Sequence, residues 1–599
     1  MCDGQNHRQT GIPSHAIRQL TMFMQGAADP KQPYTYADFD YNGIYHVPVK
    51  ADGSVYLAPI RLSDIFEVIG RGTDDEGTHY HIIRYGDNEH CIIPRGDVGT
   101  SEGWRYLRNV INVPSARRKL DLLTEYIQTE AMKPEVMAAE WRITDVAGWH
   151  DDAYILPNGD IIGDNERLYF SGKIGYNKRI GYKSGGSLEE WQEQIGRYAV
   201  GNSRICLMLG AAFAAPLLRL LNLDGGILHI FGQSSSGKTT IQRIAQSVWG
   251  HGRDTGENWN ATPYALLNNA AARNDGLLAL DEMGEDATGK AVDQSIYTLA
   301  NGKGRALGAK DGGNRAEIRF RTLTVSTGET TLESHLSKHG KITMAGHMVR
   351  CLSIPHSLDN HHQFPDFRAF TQHMNGAVCH YYGSPGRAFV RHLLADKNIR
   401  DTLAKRFAGR LEALQRDYVV NDQMARAARM FAVAMVALEL ACEWNLTGFA
   451  AADAMDGINR CFADWLGMQP RSESYESMQI LRAAGDFMQT QDPYFLNPEN
   501  PPLYPFSKPF PGYVRRGTYE TDEDLYYVLP QEFREKIVQG FEEKKVKEEL
   551  YKAGWLLRDE TNDRWTTQLY GKDPATGRRK RLGYFLVFQG ISPTTNIET

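Results

Sequence analysis

Gly232, Gly237, Lys238 and Thr239 stand in the order G-x-x-x-x-G-K-T inside the stretch "FGQSSSGKTT", Phe231 to Thr240. Each residue type suits the holding of a polyphosphate. Glycine lets the chain turn so that successive N–H groups, from Gly232 through Gln233, Ser234, Ser235, Ser236 and Gly237 to Thr240, point inward at phosphate oxygens. Lys238 supplies a mobile positive charge for the β- and γ-phosphates, and Thr239 a hydroxyl for Mg2+. The chemistry expected of this set is binding of ATP with Mg2+. The flanks agree. "GGILHIF" before it is a short apolar run that reads as a strand, and "TIQRIAQSVWG" after it carries apolar residues at helical spacing. A helix starting here would aim the positive end of its dipole at the same phosphates.

Hydrolysis needs a second, acidic site. "GLLALDE", Gly276 to Glu282, is an apolar run that ends in two carboxylates. Asp281 at the strand's end would hold the Mg2+ through water, and Glu282 would orient and polarise the attacking water. A third run, "RTLTVSTGE" from Arg321 to Glu329, again reads as a strand with polar residues at its end. In P-loop ATPases of the AAA+ kind the adjacent strand ends in a polar sensor of the γ-phosphate. Ser326 or Thr327 is placed for that role, although asparagine is commoner there.

Between these two strands, "NGKGRALGAKDGGNRAEIRF" from Asn301 to Phe320 reads as strand, "DGGN" turn, strand. Helicase-type AAA+ modules grip DNA with a hairpin inserted at this place. Lys310 falls at the tip, with Lys303, Arg305 and Arg315 beside it, and lysine at a loop tip suits contact with the phosphate backbone. Arg350, in "AGHMVRCLSIP", directly precedes the strand "CLSI". Many AAA+ subunits carry an arginine finger there that reaches a neighbour's γ-phosphate. The active unit would then be a ring of identical subunits.

The composition sets the class. The chain has 599 residues, enough for several domains, with 42% hydrophobic and 23% charged residues, ordinary values for a globular protein. Its formal charge is −6, so any basic surface for nucleic acid must be local. Seven cysteines lie scattered with no C-x-x-C pair, which argues for a reducing compartment and against a zinc ribbon or a disulfide framework. His361 and His362 lack carboxylate or thiolate partners at ligand spacing, so no metal is expected of them. No apolar run reaches membrane-spanning length, and "FAVAMVALELAC" has the length of a buried core helix. The first residues lack the apolar core of a signal peptide. A cytoplasmic protein with no membrane contact is expected.

The fold class expected is α/β: a P-loop AAA+ ATPase core with an N-terminal β-rich domain, a helical region and a C-terminal winged helix. The expected division is a β-rich domain over 1–110, an α/β and helical connector over 111–222, the ATPase core over 223–356, a helical region over 357–470, and a linker with a winged-helix-like DNA-binding domain over 471–599. In the last of these, "EEKKVKEELYKAGW" reads as a helix ending at Gly554, followed by a hairpin whose loop carries "GRRKR". Arg578, Arg579, Lys580 and Arg581 would form a basic wing set to touch phosphates.

The ordered set "FGQSSSGKTT", "NDGLLALDEMGE", "IYTLANGKGR", "LTVSTGE" and "AGHMVRCLSIP" resembles a bacterial domain-of-unknown-function family, number nine-two-seven, whose members are labelled "superfamily II helicase and inactivated derivatives". It is similar as well to replicative helicases of mobile elements, including cassette-chromosome helicases, and through them to superfamily 3 and mini-chromosome-maintenance AAA+ rings. The resemblance covers roughly residues 40 to 360. It implies an ATP-driven hexameric DNA helicase of a plasmid, prophage or integrated element, working on single-stranded DNA in a pore and on duplex at the winged helix, with a primase or initiator as partner. Lys238, Thr239, Asp281 and Glu282 are all present, as a working ATPase requires. The other reading of the same residues is an ATP-switched DNA-binding or defence-associated scaffold that unwinds nothing.

Overall fold

The computed structural model describes residues 32–50, 57–163, 166–172, 181–306, 308, 313, 317–418, 422–469, 475–499, 510–516, 524–539, 541–558, 564–572 and 579–588. The chain divides into two compact units. The first comprises residues 1–182 with 271–274 and 390–395, the second 183–270, 275–389 and 396–599.

The first unit is β-rich. The alternation between Tyr41 and Trp104 forms strands Gly43–Val47, Ile60–Asp64, Phe66–Thr73, His79–Tyr85 and Glu89–Pro94. The last three continue into a five-stranded sheet through Glu140–Thr144 and Leu168–Phe170, which join in parallel. That sheet reaches past the boundary expected at residue 110. Parallel pairing between strands distant in sequence leaves no hairpin signal to read. Val68, Ile83 and Ile93 of this sheet are buried with Trp104 and Leu107 of the helix Ser101–Arg108 and with Leu123, Tyr126 and Ile127 of the helix Arg117–Ala131. The hairpin expected around "NG" is present, with Gly159 at φ 92° in its turn, and Gly148–His150 adds a third strand.

The second unit holds the nucleotide-type core. Its elements run α1 (Ser203–Ala214), β1 (Gly226–Phe231), α2 (Lys238–Ser247), β2 (Glu257–Asn258), β3 (Gly276–Asp281), α3 (Lys290–Asn301), β4 (Thr322–Gly328), β5 (Cys351–Pro355) and α4 (Phe367–His380). The five strands form one parallel sheet in the order β2-β3-β4-β1-β5. Strands buried on both faces read as continuous apolar runs rather than alternating ones, which is why "GILHI" and "GLLAL" are legible as strands. In such sheets ligands sit at the carboxyl ends of the strands, where strand order reverses. Here that edge carries the end of β1, the end of β3 and, between them, the end of β4.

Behind the core lie α5 (Ile399–Asp417), α6 (Asp422–Glu443) and α7 (Ala451–Gly467). Every residue of α1 is buried, as is nearly all of Phe431–Ala441 in α6, so the stretch that reads as a core helix is one. Among the described residues no helix is long and apolar enough to cross a membrane. The chain continues with α8 (Tyr475–Gln491), β6 (Gly512–Arg515), β7 (Leu525–Val528), a short helical segment over 530–537, α9 (Glu543–Lys552), β8 (Thr567–Lys572) and β9 (Arg579–Phe588). The four strands pair antiparallel in the order β6-β7-β9-β8. Ile480, Phe487, Tyr526, Val528, Phe533, Val546 and Leu550 give this part its own core. Helix α9 ends at Lys552, just ahead of the Gly554 stop read from sequence.

Candidate functional site

The loop after β1 turns through Ser235 at φ 59° and Gly237 at φ 99° and opens directly into α2. At Gly237 the positive φ demands glycine, and a Cβ would in addition press on Leu358 Cδ1 at 2.9 Å. Gln233, Ser234 and Ser235 are exposed, whereas Lys238 is buried. Lys238 Nζ donates to the carbonyls of Gly232 (2.9 Å) and Gln233 (2.6 Å), so its charge is held over the loop's concave side. Thr240 points elsewhere. It accepts from Asn375 Nδ2 of α4 (2.9 Å), and Asn375 in turn accepts from Arg243, which clamps α4 to the loop's helix.

The acidic pair meets this loop. Thr239 Oγ1 donates to Asp281 Oδ1 at 3.2 Å. The Thr327 hydroxyl donates to the same oxygen, and the Glu282 amide lies 3.1 Å from it and 3.2 Å from Thr327 Oγ1. Asp281 Oδ2 has no partner among the described residues. The Thr239 hydroxyl and the Asp281 carboxylate are hard oxygen donors of the kind Mg2+ takes, and they meet 3.2 Å apart beside the loop, so these residues suit the metal that the loop implies, Thr239 directly and Asp281 through water.

Glu282 follows β3 in the left-handed region at φ 50°, a conformation that costs a side-chain-bearing residue about 1 kcal/mol or more and tends to persist where the surroundings over-determine it. Its carboxyl is pushed above the usual glutamate range. Burial is the main cause, the charges of Asp281 and Glu329 add to it, and Lys238 opposes it.

The two sensor candidates separate. Successive residues of a strand face opposite ways. Thr327 therefore faces the acidic pair, with Gln242 Oε1 of α2 3.4 Å from its hydroxyl. Ser326 faces the other side and is fully enclosed. It accepts from Trp259 Nε1 (2.8 Å) and lies 2.9 Å from His229 Nδ1. His229 Nε2 meets the Thr330 carbonyl at 2.9 Å, which can only accept, so Nε2 carries the proton and Ser326 donates to Nδ1. Burial depresses this histidine to about 4. The neutral ring's contribution to stability is complete above the unfolded value near 6.5 and declines as pH falls toward 4. Ser326→Ala leaves two buried groups without partners. Stability should drop by about 1–3 kcal/mol for each, read as a lower denaturant midpoint, while ATP turnover stays within about threefold. Thr327→Ala should do the reverse, with turnover down about tenfold or more.

His356, next after β5, was not legible as a site residue. Its backbone N donates to the Phe231 carbonyl (2.7 Å), and its ring Nε2 donates to the Ser236 carbonyl (2.7 Å). It thereby holds both ends of the loop after β1. Burial lowers its basicity, the bond to Ser236 opposes this and the nearby Lys238 adds to it, so the ring is favoured neutral with its proton on Nε2. A lone histidine after a strand carries no spacing that could reveal this. Gln242, four residues after Lys238, was missed too, and a buried polar residue one helical turn from the lysine is a signal that could have been used.

Arg350 lies away from this site. Its carbonyl accepts from the Ile227 amide at the amino end of β1, opposite the edge that bears Lys238 and Asp281. Lys303 and Arg305 are exposed at the root of the segment between α3 and β4, where Lys303 bridges Arg319 antiparallel, and Asn301 and Gly302 belong to the end of α3 rather than to a strand. Lys310, Arg315 and Arg578 lie outside the described residues. Arg579, Lys580 and Arg581 are on β9, their side chains outside the description. His361 and His362 join no metal-type cluster among the described residues.

Residues 71–319 match the model of a family described as Domain of unknown function (DUF927). No curated protein matches the chain. Among solved structures, the chain is similar to one described as "SCCmec type IV Cch - active helicase", at 15% identity and a TM-score of 0.61, over 94% of this chain and 97% of that one. A looser likeness, at 12% identity and a TM-score of 0.26, links 65% of this chain to 89% of "the A form apo structure of NrS-1 C terminal region-CTR". Residues 71–319 thus match the DUF927 family model, within a fold that the chain shares over nearly its whole length with a protein described as an active helicase.

Proposed function

We propose that this protein is an ATP-dependent DNA helicase, a hexameric AAA+ motor acting in the replication of a mobile element, plasmid or prophage. The observation that carries the reading is the convergence of Thr239, Asp281, Thr327 and Glu282 on one edge of a parallel sheet ordered β2-β3-β4-β1-β5. In that order β4 lies between the phosphate-loop strand and the strand of the acidic pair, as in AAA+ cores. Lys238 and the loop amides hold the β- and γ-phosphates. Thr239 and Asp281 would hold Mg2+, which when bound would neutralise charge on the phosphates. Glu282 orients and polarises the attacking water, and Thr327 fixes Asp281 and the Glu282 backbone against it. Arg350, which cannot serve its own subunit's site from the far end of the sheet, acts on a neighbour's γ-phosphate. Lys303, Arg305, Lys310 and Arg315 contact the DNA backbone from the inserted segment.

The C-terminal part supports a winged helix. Its order of helix, strand, two helices and hairpin, with β7 against β9 and β9 against β8, is the order such domains have, with one extra strand, β6, between the first helix and β7. Arg578–Arg581 then belong to the wing. A primase or initiator would complete the replication role.

Strand displacement on a forked duplex tests the proposal. The chain should separate the strands with ATP and Mg2+, and not with Lys238→Ala in its place. Hydrolysis without displacement across fork geometries and salt concentrations would instead favour the ATP-switched scaffold.

A further inference from the structure

Tyr297 and Asn301 are four residues apart on α3 and so share one face of it. Gly346 and Arg350 are likewise four apart, just ahead of β5. These two pairs meet. The Arg350 guanidinium carbon stands 4.9 Å from the centre of the Tyr297 ring. Its Nε donates to Asn301 Oδ1 at 3.1 Å, and its Nη1 to the Gly346 carbonyl at 3.0 Å. A Cβ on Gly346 would come within 2.5 Å of the Tyr297 hydroxyl and 3.3 Å of Arg350 Nη1, so only glycine leaves room for the stack. His347 also packs against Tyr297, ring centres 4.7 Å apart.

A guanidinium has five N–H donors in a rigid plane. Two are used here, and the other three have no partner among the described residues. Nothing on the second unit's own nucleotide edge can use them, because the length of β1, about 16 Å at ~3.3 Å per residue, lies between. Stacking on an aromatic face holds the plane of a weakly hydrated guanidinium without occupying its donors.

We propose that Tyr297, Asn301 and Gly346 are positioning residues that pre-orient Arg350, with its three free donors outward, for the γ-phosphate held by an adjacent copy of the chain. The proposal rests on the reading of Arg350 as a residue that acts across a subunit boundary. It adds that the cradle, built from the donor subunit's own α3, sets the rate at the neighbour's site. Preordering matters because a free arginine would lose side-chain entropy on each docking.

The test is steady-state ATPase of the full chain and of mixed subunits. Tyr297→Ala should lower kcat about ten- to a hundredfold with KM for ATP within about twofold, and Tyr297→Phe, which keeps the ring, should stay within about twofold of wild type. Gly346→Ala, which pushes the ring aside, should fall between. Mixing Tyr297→Ala with Lys238→Ala subunits in equal amounts should raise activity about three- to twentyfold above Tyr297→Ala alone, because about a quarter of the interfaces then set an intact cradle against an intact phosphate loop. If Tyr297→Ala does not fold, Asn301→Ala carries the same expectation for kcat at about three- to tenfold, with KM for ATP within about twofold. Wild-type kcat in Tyr297→Ala beside a dead Arg350→Ala would overturn the cradle and leave the finger standing. Failure of mixing to restore activity would also overturn it, since the lesion would then lie in the same subunit. Wild-type activity in Arg350→Ala itself would remove the premise.

Discussion

Lys238→Ala should abolish ATP hydrolysis, about a thousandfold or more in turnover, and bring strand displacement to background. The size of the effect follows from what the lysine faces. It is buried, it is the only side-chain cation bonded to the phosphate loop among the described residues, and its partners are the Gly232 and Gln233 carbonyls. Those carbonyls serve to park the ammonium where a polyphosphate would otherwise draw it. Removing the charge leaves the developing negative charge of the transferring phosphoryl group without that compensation, in a site where burial strengthens each interaction. The fold should tolerate the change. Both carbonyls lie in a partly exposed loop that water can reach, so the expected loss of stability is about 1 kcal/mol or less. A melting curve near wild type, together with absent turnover, is the pattern sought. Substantial residual turnover in a folded variant would mean that this loop is not where ATP is split.

Glu282→Gln should separate binding from chemistry. The amide keeps the shape, and can still accept from the Gly284 amide as Glu282 Oε1 does at 3.3 Å. It cannot take a proton or polarise water as a carboxylate does. Turnover should fall about 10²- to 10⁴-fold while nucleotide affinity, measured by equilibrium titration with a non-hydrolysable analogue, changes by no more than a few-fold. The pH profile adds a second reading. Burial, with Asp281 and Glu329 close by, raises the Glu282 carboxyl above the ordinary glutamate range. The working form is the carboxylate, so log kcat should rise with pH through a midpoint above that of a free glutamate and then level. Glu329→Gln removes one like charge and should move this acid limb to lower pH. An acid limb that stayed in place in Glu329→Gln and survived in Glu282→Gln would assign the proton to another group.

Four of the five strands of the nucleotide core, β1, β3, β4 and β5, were legible as apolar or β-type runs, and "GQSSSGKT" and "LDE" join a residue type to a fixed backbone position, whereas the two-residue β2, Glu257–Asn258, carries no such pattern. Lys238, Thr239, Asp281 and Glu282 needed no partner from elsewhere to be recognised. The long apolar helices α1 and α6 were equally plain, since a helix buried on all sides has no polar face. What sequence could not reach lies in pairings between distant segments. Ser326 and Thr327 are neighbours with similar chemistry, and only the pleat of β4 against β1 and β3 sends one into a buried network with His229 and Trp259 and the other to Asp281. His356 acts through a backbone carbonyl, a bond that no residue type advertises. The first unit's sheet closes through parallel strands about seventy residues apart, and the cradle around Arg350 joins α3 to a turn some fifty residues later. Sequence alone thus determined the local chemistry: which residues could bind phosphate and metal, and which runs would be strands. The tertiary structure decided which of those groups meet, because side-chain direction and strand order are set by packing across the sheet rather than by neighbours along the chain.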